Sequence, residues 1–158
     1  MTRVRVIGCG NPDAGDDALG VLAVRAARER LPETVEVVEA GSATRVIDLL
    51  EQVEAVVLVD AVRTPGGATD GSLIRLDATA GEISAGIRTS LSSHGLGLAE
   101  VFGLAAVVGP LPKIVVLGLD ADHTAMGSGL SPHVVAQLPT LVEAVVAEAT
   151  RLMEEPVP

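Results

Sequence analysis

The sequence predicts an α/β fold built on one mostly parallel sheet of five strands. Three observations lead there. Short β-branched runs alternate with longer stretches of helical period. One of those runs, AVVLVD over 55–60, is apolar almost throughout, as in a strand covered on both faces. The chain has 158 residues, 48% of them hydrophobic, which suits one domain rather than two. A chain of that size buries roughly 70% of its unfolded surface and needs no disulfide or structural metal.

Val4–Gly8 reads as the first, central strand, and Asn11 to Gly15 as the loop after it. A helix is predicted over 17–31, with Leu19, Leu22, Ala23 and Ala26 at helical spacing, acidic residues at its start, arginines near its end and Pro32 as its stop. Val35–Glu39 is the second strand. A helix over 44–53 carries Val46, Leu49, Leu50 and Val53 on one face. The third strand is 55–60. Only Ala61 to Gly71 separates it from the fourth, 72–76, too short a connection for a helical crossover, so the fourth strand is predicted to be antiparallel. A polar loop over 77–93 follows, then a helix over 94–108 with Leu98, Val101, Phe102 and Ala105 as its stripe. The fifth strand is 113–119. After a loop over 120–130, Ser131 and Pro132 read as N-cap and first residue of a helix reaching Glu154, with Pro139 expected to kink or split it.

Composition excludes several functions. With a net charge of −10 and one aromatic residue, Phe102, the chain repels phosphate backbones and lacks stacking platforms, so nucleic acid is excluded as a partner. No apolar run approaches the ~20 residues of a membrane span. A signal peptide is not evident, and Cys9 is the single cysteine, so a cytoplasmic location is expected and a membrane partner is not.

In such sheets the chemistry lies beyond the carboxyl ends of the strands. The first loop imitates two nucleotide motifs in spacing. However, Asp13 stands where a dinucleotide fingerprint needs its third glycine, and Asp16 and Asp17 stand where a phosphate loop needs Lys and Ser or Thr. Both fail on charge. Carboxylates there suit a cation: Asp17, Asp60 and His94 could converge on one metal, and oxygen with imidazole donors suits nickel or zinc. Blander roles compete. Asp16 is read as a helix N-cap, and Asp17 could stabilise the first turn by ~0.3–1 kcal/mol. Asp60 could close a turn on its own backbone, and His94 could serve as a cap. Asp120, Asp122 and His123 follow the last strand; His123 and His133 are read as solvated. A Cys9–His94 nucleophile is disfavoured, because Asp13, Asp16 and Asp17 would raise the thiol pKa; Cys9 is read as structural. There is no Gly-x-Ser-x-Gly elbow.

These motifs, in order, resemble those of the hydrogenase maturation endopeptidases. The matching segments are Ile7-Gly8-Cys9-Gly10-Asn11-Pro12, Gly15-Asp16-Asp17-Ala18-Leu19-Gly20, Val57-Leu58-Val59-Asp60-Ala61 and Ser92-Ser93-His94-Gly95. Val116-Leu117-Gly118-Leu119 and Gly129-Leu130-Ser131-Pro132 extend the match. Ala18 and Ser93 depart from the glycine and proline common there, and neither removes a ligand. The resemblance implies a three-layer α/β/α sandwich over one domain, 1–158, whose last few residues are expected to be disordered. It implies an aspartyl-type endopeptidase that removes the C-terminal extension of a nickel–iron hydrogenase large subunit precursor after nickel insertion. Asp17, Asp60 and His94 are the implied catalytic and metal-contacting residues. The nickel arrives with the substrate and is weakly held by the free enzyme. The competing function is a non-catalytic module of the same fold that binds a metal or small ligand; only the protease would shorten a nickel-loaded precursor.

Overall fold

The computed structural model describes residues 2–67, 70–79, 83, 86–91, 96–121, 127 and 129–156. The expectation for the last few residues falls in part on 157–158, outside the described residues. Strand β1 (Thr2–Cys9) lies between β2 (Val35–Ala40) and β3 (Val53–Arg63), parallel to both. On its other side β3 runs parallel to β6 (Lys113–Asp120), and β4 (Leu73–Asp77) closes that edge antiparallel to β6. The strand order is therefore β2-β1-β3-β6-β4. The short connection after β3 thus has the antiparallel outcome its length requires. A two-residue strand, β5 (Arg88–Thr89), pairs antiparallel with the end of β3 and joins the five expected strands.

Helices cover both faces. α1 (Leu19–Arg28) and α4 (Pro132–Glu154) bury Leu19, Ala23, Val24, Leu141 and Val145 against Val57, Val59, Val115 and Leu117. On the opposite face, α2 (Ala43–Leu49) and α3 (Leu98–Val108) bury Val46, Leu98, Val101 and Phe102 against Val56, Leu58, Ile114 and Val116. The alternation of Val56 and Leu58 with Val57 and Val59 between these cores makes β3 apolar without interruption. The result is the three-layer sandwich. No helix among the described residues is long and apolar enough to cross a membrane.

Several boundaries differ from the sequence reading, each for a local reason. The first helix opens with a 3-10 turn, Gly15–Ala18, before α1, and the α-helix ends at Arg28. Its buried residues are Leu19, Gly20, Val21, Ala23, Val24 and Ala27, whereas Ala26 is exposed. The second helix ends at Leu49; Gln52, at φ 58°, turns the chain and Val53 opens β3 opposite Thr2. Ser42 caps that helix by accepting the Arg45 N–H at 3.2 Å. The third helix begins at Leu98 rather than 94; positions 94–95 lie outside the described residues. α4 is not split at Pro139. Proline cannot donate to the Val135 carbonyl, but Val135 and Pro139 are both exposed, so water can take that bond.

One packing detail sets the position of α1. A Cβ on Gly20 would sit 2.2 Å from the Val59 carbonyl oxygen and 2.6 Å from that of Cys9. A Cβ on Gly8 would meet Val24 at 2.4 Å. The helix therefore rests directly on the backbones of β1 and β3.

Candidate functional site

β1, β3 and β6 all point their carboxyl ends to one edge of the sheet, and the acidic residues gather there. After Cys9, Gly10 turns at φ 124°, where a side chain would be strained. It also has no room for one: a Cβ would overlap the Asp17 carbonyl oxygen at 1.8 Å and approach Ser90 Oγ to 3.6 Å. Gly10 thus lets the 3-10 turn fold down over the end of β1. Asp13 turns locally, its N–H donating to Asn11 Oδ1 at 2.9 Å.

The two aspartates of that turn part company. Asp16 is buried and does not cap its own helix, correcting the N-cap expectation; the residue ahead of the turn, Ala14, has no side-chain cap. Asp16 instead accepts the Ser131 N–H at Oδ1, 2.7 Å away, and the Ser131 hydroxyl at Oδ2. It ties the turn to the start of α4. Ser131 does stand at the N-cap position with Pro132 behind it, but its hydroxyl serves Asp16 and not the helix. Asp17 is half-buried, and its carbonyl oxygen lies against Gly10.

Asp60 is fully buried. β3 continues past it to Arg63, so Asp60 lies within the strand rather than at its end. Its Oδ1 accepts the Ala61 N–H at 2.8 Å. Its Oδ2 accepts the Ser90 hydroxyl at 2.6 Å and the Ser90 N–H at 3.2 Å. Burial pushes the Asp60 carboxyl well above the usual carboxylate range, against the lowering effect of these donors, and the charge of Asp17 pushes it further. Sequence reasoning missed Ser90; the run of serines before His94 was its one signal.

Cys9 is buried at the end of β1, and its thiol is pushed well above its ordinary value, first by burial and then by the charge of Asp60. A thiolate is disfavoured there, in keeping with the structural reading. The acids of the first loop, invoked from sequence, are not among the causes of that shift; burial comes first and the charge of Asp60 second.

Asp17 is thus near enough for its charge to act on Asp60, and Ser90, bonded to Asp60, also lies beside Gly10. His94 lies outside the described residues, as do Asp122 and His123. Among the described residues, no three acidic, histidine or cysteine side chains form a metal-binding group, and the expected triad depends on His94. Asp120 is buried under the turn after β3, where a Cβ on Gly67 would meet its Oδ2 at 2.6 Å. His133 is exposed, as expected. Chemically, Asp17 and Asp60 offer oxygen donors to a cation, and the displaced titration of Asp60 makes it a carboxyl able to hold or release a proton.

The chain and its fold are similar to those of known proteins. The chain is 29% identical over 160 residues to the hydrogenase 2 maturation protease of Escherichia coli K12, covering 99% of this chain and 96% of that protein. The hydrogenase maturating endopeptidase HybD of E. coli superposes with a TM-score of 0.73 at 25% identity, covering 94% of this chain and 93% of that one. An E. coli endopeptidase solved in solution gives a TM-score of 0.79 at 27% identity, covering 96% and 94%. A family model described as hydrogenase maturation protease matches residues 22–148. That match spans Asp60 and begins after the first loop; the alignment with the E. coli protease takes in nearly the whole chain. The chain belongs to the hydrogenase maturation protease family.

Proposed function

We propose that this endopeptidase removes the C-terminal extension of a nickel–iron hydrogenase large subunit precursor after nickel insertion, and that nickel held by the precursor is the signal it reads. Asp17, Asp60 and His94 are the residues assigned to that contact. The observation that supports the reading is the state of Asp60. A carboxyl group buried in the central strand, with a second carboxylate close by, is electrostatically unfavourable unless protonated or paired with a cation. Contact with a nickel-bearing substrate would draw the Asp60 proton off and relieve its repulsion with Asp17.

The donor set fits that role. Oxygen and imidazole ligands suit nickel, and Asp60 Oδ1, which accepts one bond from Ala61, retains acceptor capacity, while Oδ2 already accepts twice from Ser90. Three protein ligands fall short of the four usual in a closed structural site, so free nickel is bound weakly and exchanges. The remaining ligands belong to the precursor. Asp17, Asp60 and His94 are also assigned to the cleavage step: Asp60, with its raised pKa, is suited to hold and pass a proton near the scissile amide. The setting proposed is the cytoplasm, which suits a chain with one buried cysteine.

The test offers metal-stripped enzyme two forms of its precursor, nickel-loaded and nickel-free. Processing of the loaded form alone is expected. Equal cleavage of both would remove nickel from the recognition step.

A further inference from the structure

β1 delivers one neutral polar side chain to the edge where the acids gather. Its register with β3 pairs Gly8 with Val59, so the chain leaves β1 alongside Asp60, and two residues past Cys9 it places Asn11. Asn11 is exposed at that edge, whereas Asp60 is fully buried. Though exposed, the side chain is held. Asn11 Oδ1 accepts the Asp13 N–H at 2.9 Å, and the Asn11 carbonyl accepts the Ala14 N–H at 3.1 Å. A backbone N–H only donates, so the atom facing Asp13 is the amide oxygen and Nδ2 is turned away from it. The turn itself is anchored on both sides: the Asp17 N–H donates to the Ala14 carbonyl at 3.0 Å, and the Gly127 N–H to the Asp13 carbonyl at 2.9 Å. Nδ2 carries two N–H donors, so a bond inside the fold leaves one for a ligand.

Such a donor answers a need of the site. Amide hydrolysis builds negative charge on the scissile carbonyl oxygen, and that charge is stabilised by donors about 2.7–3.1 Å away. Asp17 and Asp60 supply none when ionised and repel the charge instead. The Ser90 hydroxyl and the N–H groups of Ala61 and Ser90 already donate to Asp60, and the Gly10 N–H donates to the Ala40 carbonyl at 3.1 Å. Arg63, three residues past Asp60 on the same strand, lies on the opposite face of the sheet. In the first loop, 11–17, Asn11 is the one side chain able to donate while the acids are ionised.

We propose that the Asn11 side-chain amide donates to the scissile carbonyl oxygen during cleavage, as a further catalytic residue beside Asp17, Asp60 and His94. The inference rests on the endopeptidase reading above and adds the group that carries the charge of the transition state. In the step, a water oxygen adds to the carbonyl carbon, one water proton passes to the Asp60 carboxylate, and the π pair moves onto the oxygen held by Nδ2–H. On collapse the carbonyl re-forms, the C–N bond breaks and that proton goes to the departing nitrogen.

The donor role is separable from the turn. In N11D an oxygen remains for the Asp13 N–H and the donor is lost; in N11S a turn oxygen remains, no charge is added, and no atom stands where Nδ2 stood. The test measures kcat and KM of wild type, N11D and N11S on nickel-loaded precursor, with thermal melting alongside. Both variants are expected to lose kcat about a hundredfold or more, the effect of removing one such donor, with KM within about threefold of wild type and Tm little changed. Wild-type kcat in either variant overturns the inference; a loss in N11D alone would then belong to its added charge, and a rise in KM alone to binding. A loss that follows a fall in Tm and recovers on cooling assigns Asn11 to the turn alone, and also overturns it. Failure of wild type to process the loaded precursor would instead overturn the endopeptidase reading.

Discussion

Ser90 donates twice to one oxygen of Asp60, from its hydroxyl at 2.6 Å and its backbone N–H at 3.2 Å. The residue four positions before His94 in the sequence is thereby fastened to the buried acid. Hydrogen bonds to charged groups contribute about 1.5–3 kcal/mol. S90A should therefore slow processing about ten- to a hundredfold, with a smaller loss for S90T, measured as single-turnover rates on loaded precursor. Wild-type rates in S90A would show that this bond does not organise the site.

Asp60 predicts a pH dependence of stability with a definite sign. Its folded pKa lies above its unfolded value of about 3.9. The group therefore contributes stability that is full below the unfolded pKa and is lost as pH rises through the folded one. In the metal-free enzyme, Tm should fall as pH climbs from about 4 through that titration. D60N should flatten this slope whatever its absolute Tm, and should cut processing by more than a hundredfold. D17N, which removes the neighbouring charge, should melt at or above the wild-type temperature at neutral pH. Parallel wild-type and D60N curves of Tm against pH would contradict the assignment.

Cys9 should be dispensable for chemistry. C9S is expected to keep its cleavage rate within about twofold, and thiol reagents to inhibit weakly, because the thiol is buried and held protonated. Burying a hydroxyl without a partner costs about 1–3 kcal/mol, or roughly 2–4 °C of Tm per kcal/mol for a chain of this size. A folded but inactive C9S variant would reverse the reading.

Asp16 should behave as a clamp. D16A leaves the Ser131 N–H without its carboxylate, and the expected loss is about 1–3 kcal/mol of stability in denaturant titration. Processing should fall together with stability and recover at lower temperature. An inactive D16A of undiminished stability would place Asp16 in the chemistry instead.

What the sequence disclosed and what it hid divide by range. The apolar run around Leu58 and the eleven residues before Ser72 were local signals, and they led to a central strand and an antiparallel neighbour. Asp60 stood out as a charge closing such a run. The Asp16–Ser131 tie spans 115 residues and leaves no local trace. β5 is two residues long and exists through its pairing with Val62 and Arg63, so no periodicity could announce it or the adjacent Ser90. Val53 satisfied the helical pattern, yet the turn at Gln52 and pairing with Thr2 claimed it for a strand. Non-local pairing outweighed local preference at each of these points.

The bare backbone of Gly20 has one further consequence. Val59, whose carbonyl it touches, precedes Asp60, and Cys9, whose carbonyl it also touches, precedes Gly10. The gap between the two carboxylates is thus gauged by clearance between main chains, like a joint machined without a gasket. One methyl, in G20A, would act as a shim, lifting the foot of α1 and carrying Asp17 away from Asp60 without altering any ligand. Precision in this enzyme is held where it has least material, and drift in activity would begin there before any charged residue changed.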